Sequence, residues 1–325
     1  MKSVLGTVIV VVGVAMGVVW AGYAYFSKSP AGNVKSIDVL TGDANGVYHP
    51  LGIALSKMYS RALPASNISV RSTQGSAENL NLLQAGRGEV GFTLGDSLSN
   101  AWRGEEDAGF KVPLKKLRAI AGMYPNYLQL VARADSGIKT LADLKGKRVS
   151  VGAKRSGTEL NARAIFRAAG LSYQDLARVD YLPFSESVEL MKHRQLDVTL
   201  QSTGLGAASL RDLATAVKIV LIPIPPEVVD KVGDRAYQRG VIPARTYAGQ
   251  TADVPTITIT NFLVTHENVP DEIVYKMTKV MLENLDQLTA AHSAAKQISR
   301  DTAAQVPIPL HPGAEKYYRE VGLVR

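Results

Sequence analysis

Hydrophobic and polar residues alternate in short segments that switch repeatedly between the period of a strand and the period of a helix. The first strand-like runs are SIDVLTG, NISVRSTQ and EVGFTLGD, with helical runs between them at about 49–63 and 76–85. The order continues with RVSVGA, RVDYLPF, LDVTLQS and KIVLIPIP, interrupted by a helix from Glu159 and another across 186–193. This alternation predicts an α/β fold with mainly parallel sheets covered by helices.

The segment 145–170 combines a strand, a turn and a helix most clearly. Val149 and Val151 alternate with polar or small residues, and Ser156 and Glu159 form an S-x-x-E capping box at the predicted start of the helix. A turn of this kind directs free backbone N–H groups toward one point, and such a point binds anions. The simpler interpretation is that the serine only caps the helix.

Three further turns carry small polar residues at the end of a predicted strand, at 40–48, 71–76 and 201–204. In open α/β sheets the carboxyl ends of the strands meet at a crevice, where helix N-termini and hydroxyl groups can converge on one ligand. Ordinary loop chemistry is the alternative, because turns and helix caps favour these residue types anyway. Together, the four turns predict a ligand-binding cleft.

Two long apolar segments predict a crossing between two lobes. LRAIAGMY and LQLVARA lie on either side of Pro125, and TITITNFLVTH follows much later in the chain. The first lobe would contain 34–128 and 262–325, and the second lobe would be the insertion 129–261. An apolar stripe on the predicted C-terminal helix is expected to pack on a sheet, and it comprises Ile273, Met277, Val280, Met281, Leu285 and Leu288.

Composition fits a globular chain of this size. The chain has 325 residues, of which 46% are hydrophobic and 20% are charged, and this length accommodates two domains. The net charge of +8 comes from scattered Lys and Arg residues, and the few Phe and Trp residues form no stacking series. We therefore expect no nucleic-acid partner. The positive field suits small anions or an anionic membrane surface.

Residues 1–27 predict export. Residues 3–27 contain no charged side chain and follow Lys2, which is typical of a signal peptide or of a membrane anchor through residues 4–26. Either interpretation places the folded part outside the cytoplasm, in the periplasm. The chain has no cysteine, which excludes disulfides, thiol nucleophiles and a lipid-modified N-terminal cysteine.

No pattern in the sequence indicates catalysis. The five histidines are widely separated and none lies in a metal-binding spacing. Phosphate-binding and nucleophile-elbow motifs are absent, and the carboxylates are too dispersed to suggest a catalytic pair. We therefore predict a binding protein with no catalytic residues, no metal and no cofactor.

The residues resemble a known family over nearly everything after the leader. The match is carried by 128–169, in which S-G-T-E-x-N-A-R follows D-L-K-G-K-R-V-S-V-G, and by GVYHPLG, VRSTQGSAENLNLLQAG, ADVPTI and PLHPGAEKYYRE. These segments are similar to the TAXI family of solute receptors, which serve tripartite ATP-independent periplasmic (TRAP) transporters.

The resemblance implies a two-lobed type II periplasmic-binding-protein fold, with a hinge and an interlobe ligand cleft. The lobes would close on a small organic anion of the glutamate, glutamine or 2-oxoglutarate class and deliver it to the membrane permease subunits of a TRAP transporter. The implied ligand-binding residues are Gly46, Val47, Tyr48, Thr73, Gly75, Ser76, Arg155, Ser156, Gly157, Thr158, Gln201, Thr203 and Gly204.

Two departures from the family pattern concern the ligand. Val47 stands where relatives often carry threonine, so one hydroxyl is missing. Lys154 and Arg155 stand beside the proposed anion site; Arg155 would either grip a second carboxylate or remain a solvent-facing loop charge.

A second class of function uses the same two-lobed module. A chain that keeps its leader as a membrane anchor would be a ligand-sensing or interaction protein instead of a free transport receptor.

Overall fold

A computed structural model describes residues 35–325, and the leader prediction lies outside these residues. Its helices are α1 Tyr48–Ala62, α2 Ser76–Gln84, α3 Gly95–Arg103, α4 Gly157–Ala168, α5 Phe184–Lys192, α6 Ala208–Ala216, α7 Pro226–Val232, α8 Asp271–Leu282, α9 Leu285–Ala291 and α10 Pro312–Glu320. None of the helices in this described range is long and apolar enough to cross a membrane.

The strands follow the predicted order along the chain, with shorter bounds for most of them. They are β1 Ser36–Leu40, β2 Asn67–Arg71, β3 Val90–Leu94, β4 Leu117–Arg133, β5 Arg148–Ser150, β6 Arg178–Asp180, β7 Val198–Thr203, β8 Ile219–Ile222, β9 Gln238–Ile242 and β10 Val254–His266. The predicted turn at 201–204 is wrong for its first three residues, because Gln201, Ser202 and Thr203 are the last residues of β7 and the chain leaves the strand only at Gly204.

The strands form one mixed sheet in the order β2-β1-β3-β10-β4-β7-β5-β6, with β8 paired to β4 and β9 paired to β10. We call β1, β2 and β3 the first sheet half and β5, β6 and β7 the second sheet half. Pairing is parallel inside each half. The central strands β4 and β10 pair antiparallel with each other and with their other neighbours. The expectation of mainly parallel pairing therefore holds within the halves and is wrong at the centre.

Strands β4 and β10 lie between the two halves of the sheet and join them. β4 is one continuous strand of 17 residues with Pro125 inside it, opposite Thr260 of β10. Proline has no N–H to donate to the ladder, and the register of β10 shifts immediately afterwards, between Thr260 and Phe262. Asn261, at this irregularity, donates its side-chain amide to the Tyr124 carbonyl and to Asn126 Oδ1, each at 2.8 Å.

Buried apolar side chains divide between the two halves of the sheet. Two clusters draw almost wholly on 37–124 and 262–318, and two others draw almost wholly on 128–259. Leu94, Leu160 and Ala207 are the exceptions, because each joins a cluster of the opposite half. The lobe boundaries stay a prediction, and this distribution of apolar side chains is what we expect of such a division.

The C-terminal apolar stripe is buried, but the predicted single helix is two helices. α8 ends at Leu282 and α9 begins at Leu285, and the side chain of the intervening Asn284 donates to the Val280 carbonyl at 2.8 Å. Met277, Met281 and Leu288 are fully buried. They lie in a cluster shared mainly with α1 and α10, so the stripe packs chiefly against helices and less against the sheet.

Candidate functional site

One cavity of about 290 Å³ lies where the carboxyl ends of β1, β2, β5, β6 and β7 meet. The turns that follow four of these strands enter α1, α2, α4 and α5, so four helices begin at its wall. The lining residues are Gly42, Asp43, Ala44, Gly46, Val47, Tyr48, Ser72, Thr73, Gln74, Gly75, Ser76, Leu94, Asn126, Ala153, Ser156, Gly157, Thr158, Pro183, Phe184, Ser202 and Thr203. Such a crevice is the usual ligand site of an open α/β sheet.

Tyr48, at the start of α1, forms an aromatic side of the cavity. Its ring stacks on Phe92 with centroids 5.0 Å apart, and its hydroxyl donates to Asn261 Oδ1. Burial raises the pKa of Tyr48 well above its usual range, so the hydroxyl stays neutral. The same Asn261 holds the backbone beside Pro125, and Tyr48 is therefore linked directly to the centre of β4 and β10.

The turn between β2 and α2 is fixed by its own side chains. The Thr73 hydroxyl lies 2.6 Å from Asn79 Oδ1 and accepts the Gly75 N–H at 3.0 Å. Gly75 has a φ of 106°, in the region that favours glycine. Ser76 Oγ accepts the Leu94 N–H at 3.1 Å. Thr73 thus shapes the wall through bonds within the protein, and Ser76 opens α2 against the cavity.

The turn between β5 and α4 contains half of the predicted capping box. Ser156 Oγ accepts the Glu159 N–H at 3.1 Å, as the sequence predicts. The Glu159 side chain does not return to the Ser156 backbone, because Arg163 and Tyr173 donate to its carboxylate at 2.8 and 3.1 Å. The reciprocal half of the box is therefore wrong, and the Ser156 backbone N–H is bonded to the Ala153 carbonyl instead.

The first turns of α2 and α4 approach closely at the base of the cavity. A Cβ added to Gly157 would lie 2.7 Å from Ser76 Oγ and 2.6 Å from a methyl carbon of Leu94. Because no real Cβ tolerates these distances, glycine is what allows the two helix N-termini to meet. The N–H groups of their first turns have no partner within the helix and carry partial positive charge.

The end of β7 supplies the opposite side. Ser202 donates its N–H to Thr158 Oγ1 at 3.3 Å, and its carbonyl accepts from Asn126 Nδ2 at 2.9 Å. Only 5% of Ser202 is exposed, and its hydroxyl has no hydrogen-bond partner. Sequence reasoning covered the segment 201–204 but did not choose Ser202 as a site residue. In the strand, Ser202 and Gln201 point to opposite faces, so a choice of Gln201 for the site left Ser202 out.

Asp43 connects the first sheet half to α5. One carboxylate oxygen accepts the Asn45 N–H at 2.8 Å, and the other accepts the Ser185 hydroxyl at 3.1 Å and its N–H at 3.4 Å. The neighbouring Phe184 closes the cavity on this side. Asp43 and Phe184 were both missed from the sequence, because an acid after a strand and an aromatic before a helix have ordinary structural interpretations.

Ten of the thirteen predicted ligand-binding residues line this cavity, and their contact with a ligand stays a prediction. The other three lie elsewhere. Arg155 is exposed with a φ of 62°, and its carbonyl accepts the Glu78 N–H at 3.1 Å. Gln201 is fully buried behind the wall, where it accepts from the Ser209 hydroxyl at 2.6 Å. Gly204 packs beneath Val47, and a Cβ there would lie 3.1 Å from the valine.

The described residues hold no cluster of three or more His, Asp or Glu side chains that could bind a metal ion. The site chemistry consists instead of hydroxyls, amides, backbone N–H groups, apolar side chains and the single carboxylate of Asp43. These groups orient and enclose a small molecule.

A family model described as the NMT1-like family matches residues 39–322. The chain belongs to the NMT1-like family. This NMT1-like chain is also similar in fold to PhnD1 from Prochlorococcus marinus in complex with methylphosphonate, with a TM-score of 0.56 and 11% identity over 89% of this chain and 99% of that one. The alkanesulfonate-binding protein SsuA from Xanthomonas axonopodis pv. citri bound to MOPS gives a TM-score of 0.51 and 14% identity over 92% and 96%.

These likenesses confirm the predicted fold class, the mixed α/β fold of periplasmic binding proteins. At 11% and 14% identity, these two likenesses are evidence for the shared fold alone. The cavity of this NMT1-like chain must therefore be interpreted from its own residues.

Proposed function

We propose that this protein is an extracytoplasmic solute receptor that captures a small organic anion. The observation that carries the proposal is the cavity at the strand ends, whose walls come from both sheet halves and from four helix N-termini. Its volume of about 290 Å³ suits a molecule the size of an amino acid or a short organic acid. Membership of the NMT1-like family and the periplasmic-binding-protein fold support the same proposal.

Two lobes close to capture the ligand. The first lobe is 34–128 together with 262–325, and the second lobe is 129–261. The support lies in the walls, because Tyr48 and Ser76 belong to the first lobe whereas Gly157 and Ser202 belong to the second. The chain crosses between the lobes in β4 and β10, where Pro125 and the register shift beside it interrupt the ladder. A ligand that contacts both walls shifts the open–closed equilibrium toward the closed form.

The ligand belongs to the glutamate, glutamine or 2-oxoglutarate class, and the receptor delivers it to a TRAP-type permease. This finer proposal rests on the resemblance to the TAXI family in 128–169 and its flanking segments. No covalent step is part of the function, so the protein is a receptor and not an enzyme. It works in the periplasm, and mass spectrometry of the mature N-terminus distinguishes a cleaved leader from a retained anchor.

A thermal-shift screen of the full-length protein with amino acids, dicarboxylates and their monoamides tests the receptor function. A true ligand binds only the folded state, so saturation at about 100 times its Kd should add about 2.7 kcal/mol to the free energy of unfolding. Small-angle scattering with the same compound should show a smaller radius of gyration. A screen without any stabilising compound would contradict the proposal, and binding without compaction would contradict lobe closure.

A further inference from the structure

The cavity wall has an unusual charge balance for a site that takes an organic anion. Asp43 is its one acidic side chain, and no Lys, Arg or His is among the described residues that line it. Arg155 is exposed outside the wall, and the exposed Lys154 lies 5.5 Å from the ring centroid of Tyr181. Neither of the two cations that the sequence placed beside the anion site is therefore among the residues that line the cavity.

Positive potential comes instead from the first turns of α2 and α4. Within the described chain, the backbone N–H groups of Ser76, Gly157 and Thr158 have no hydrogen-bond acceptor. These two helices meet at Gly157, and all three residues line the cavity. The partial charge of two helix N-termini stabilises about one negative charge, and it falls off within the first turn.

A buried hydroxyl independently marks this volume as a ligand site. Ser202 is 5% exposed and lines the cavity, yet its Oγ has no partner. Its backbone N–H and carbonyl are both bonded, to Thr158 and Asn126, so the residue is held in place. An unsatisfied buried hydroxyl is costly, and a ligand oxygen that accepts from it removes that cost.

The remainder of the cavity disfavours a second negative charge. Asp43 carries its own charge on the wall and is fixed by its bonds to Asn45 and Ser185. Phe184, Leu94 and Tyr48 add apolar surface to the same wall. A second carboxylate would find an acid and aromatic surface in place of a cation.

We infer that the site selects organic acids with a single anionic group, bound at the N-termini of α2 and α4 and by Ser202 Oγ. Any second polar group of the ligand is uncharged or cationic. The inference rests on the proposed receptor function and narrows its ligand class, from dicarboxylates to their monoamides and similar compounds. Asp43 is the specificity determinant that excludes the doubly anionic member of each pair.

Titration calorimetry on the full-length protein tests this with isosteric acid and amide pairs. The pairs are glutamate and glutamine, aspartate and asparagine, 2-oxoglutarate and 2-oxoglutaramate, and succinate and succinamate. For the pair that binds, we expect the amide to bind on the order of 10- to 100-fold more tightly, because the Asp43 carboxylate in the same cavity repels the second carboxylate of the acid.

Two variants test which residues cause the preference for the amide and the affinity for both compounds, and a third variant is the control. Asp43→Asn keeps an oxygen for Ser185 and should reduce the preference for the amide by about tenfold. Ser202→Ala should weaken binding of both members by about tenfold, since it removes a hydrogen bond to a charged group. Ser60→Ala is the matched control, because Ser60 is exposed on α1 and bonds only to the Ser56 carbonyl. Thermal melts verify that each variant is folded.

A dicarboxylate that binds as tightly as its amide, or more tightly, overturns the inferred ligand class while the receptor function stands. An unchanged preference in Asp43→Asn overturns the role of Asp43, and unchanged affinity in Ser202→Ala overturns the role of the hydroxyl. Absence of binding by every compound of the panel and of the thermal-shift screen contradicts the receptor function itself.

Discussion

At the scale of single residues, the absence of a side chain at Gly157 decides how closely the two walls of the cavity approach. Leu94 and Ser76 occupy the space that a Cβ at this position would need. The backbone of Gly157 is helical, so the constraint is steric and does not arise from a left-handed conformation.

Gly157→Ala should therefore destabilise the protein by about 1–3 kcal/mol, the usual cost of overpacking. Gly122→Ala is the matched control, because the nearest atom to a Cβ there lies 3.5 Å away, an ordinary contact. It should change the free energy of unfolding by less than about 0.5 kcal/mol. Urea denaturation measures both, and equal effects would show that the helix starts are not tightly packed at Gly157.

Sequence reasoning located residues well where the backbone alone determines the contact. Ser156 caps α4 as predicted, since a serine at an N-cap needs only its own helix to find a donor. Glu159 turned instead to Arg163 and Tyr173, and Tyr173 lies on a different segment that the S-x-x-E pattern cannot reveal. Arg155 is exposed and does not line the cavity, and the direction of such a loop side chain depends on packing that the sequence pattern does not show.

At the scale of elements, the cap of α4 is separable from the ligand contacts. Ser156 has β-region dihedral angles and accepts one N–H of the first turn. We expect Ser156→Ala to lower the free energy of unfolding by about 1 kcal/mol and Ser156→Gly by only a few tenths, since glycine adopts the N-cap conformation readily. Urea denaturation of the two variants decides the point. Equal losses would mean that the serine is held by packing and not by capping.

The order of the strands and helices could be predicted from the sequence, whereas the pairing of the strands could be predicted only in part. Alternating strands and helices predicted the parallel halves, because crossover helices place successive strands side by side. Nothing local indicated that β10 would insert between β3 and β4. Pro125 was interpreted as a break between two segments, and the single strand through it depends on the irregular register of β10, about 130 residues away.

At the scale of the whole molecule, a buried carboxylate joins segments that are far apart in the chain. Asp96, in the first turn of α3, is 1% exposed and accepts from Asn161 Nδ2 at 2.7 Å and from the Tyr237 hydroxyl at 2.8 Å. Burial raises the pKa of Asp96 from 3.8 to about 6, against the opposing effect of the Tyr237 hydrogen bond. The Asp234 carboxylate raises it further.

This pKa has a defined consequence for stability. The folded state holds the Asp96 proton more tightly than the unfolded chain does, so the contribution is fully present below pH 3.8 and is lost as the pH rises through about 6. The loss amounts to about 3 kcal/mol from a shift of roughly two pKa units. Asp96→Asn should remove this pH dependence. The free energy of unfolding of the variant should therefore rise relative to that of the parent between pH 4 and 7.

Urea denaturation across that pH range measures the difference between the parent and Asp96→Asn. Asp286→Asn, at an exposed position of α9, is the control and should run parallel to the parent. Parallel curves for Asp96→Asn as well would show that Asp96 does not titrate in this range.

Strand β10 also determines when this protein can fold during its synthesis. It lies between β3 and β4, so the first sheet half has no complete neighbour until residue 266 has left the ribosome. The register of Phe262 with Thr93 and of Leu263 with Ala121 joins positions more than 140 residues apart. Such non-local pairing is slow. The first sheet half therefore stays without its β10 neighbour until most of the chain has been synthesised, and a segment that has not completed its sheet is in the form that a narrow translocation channel accepts.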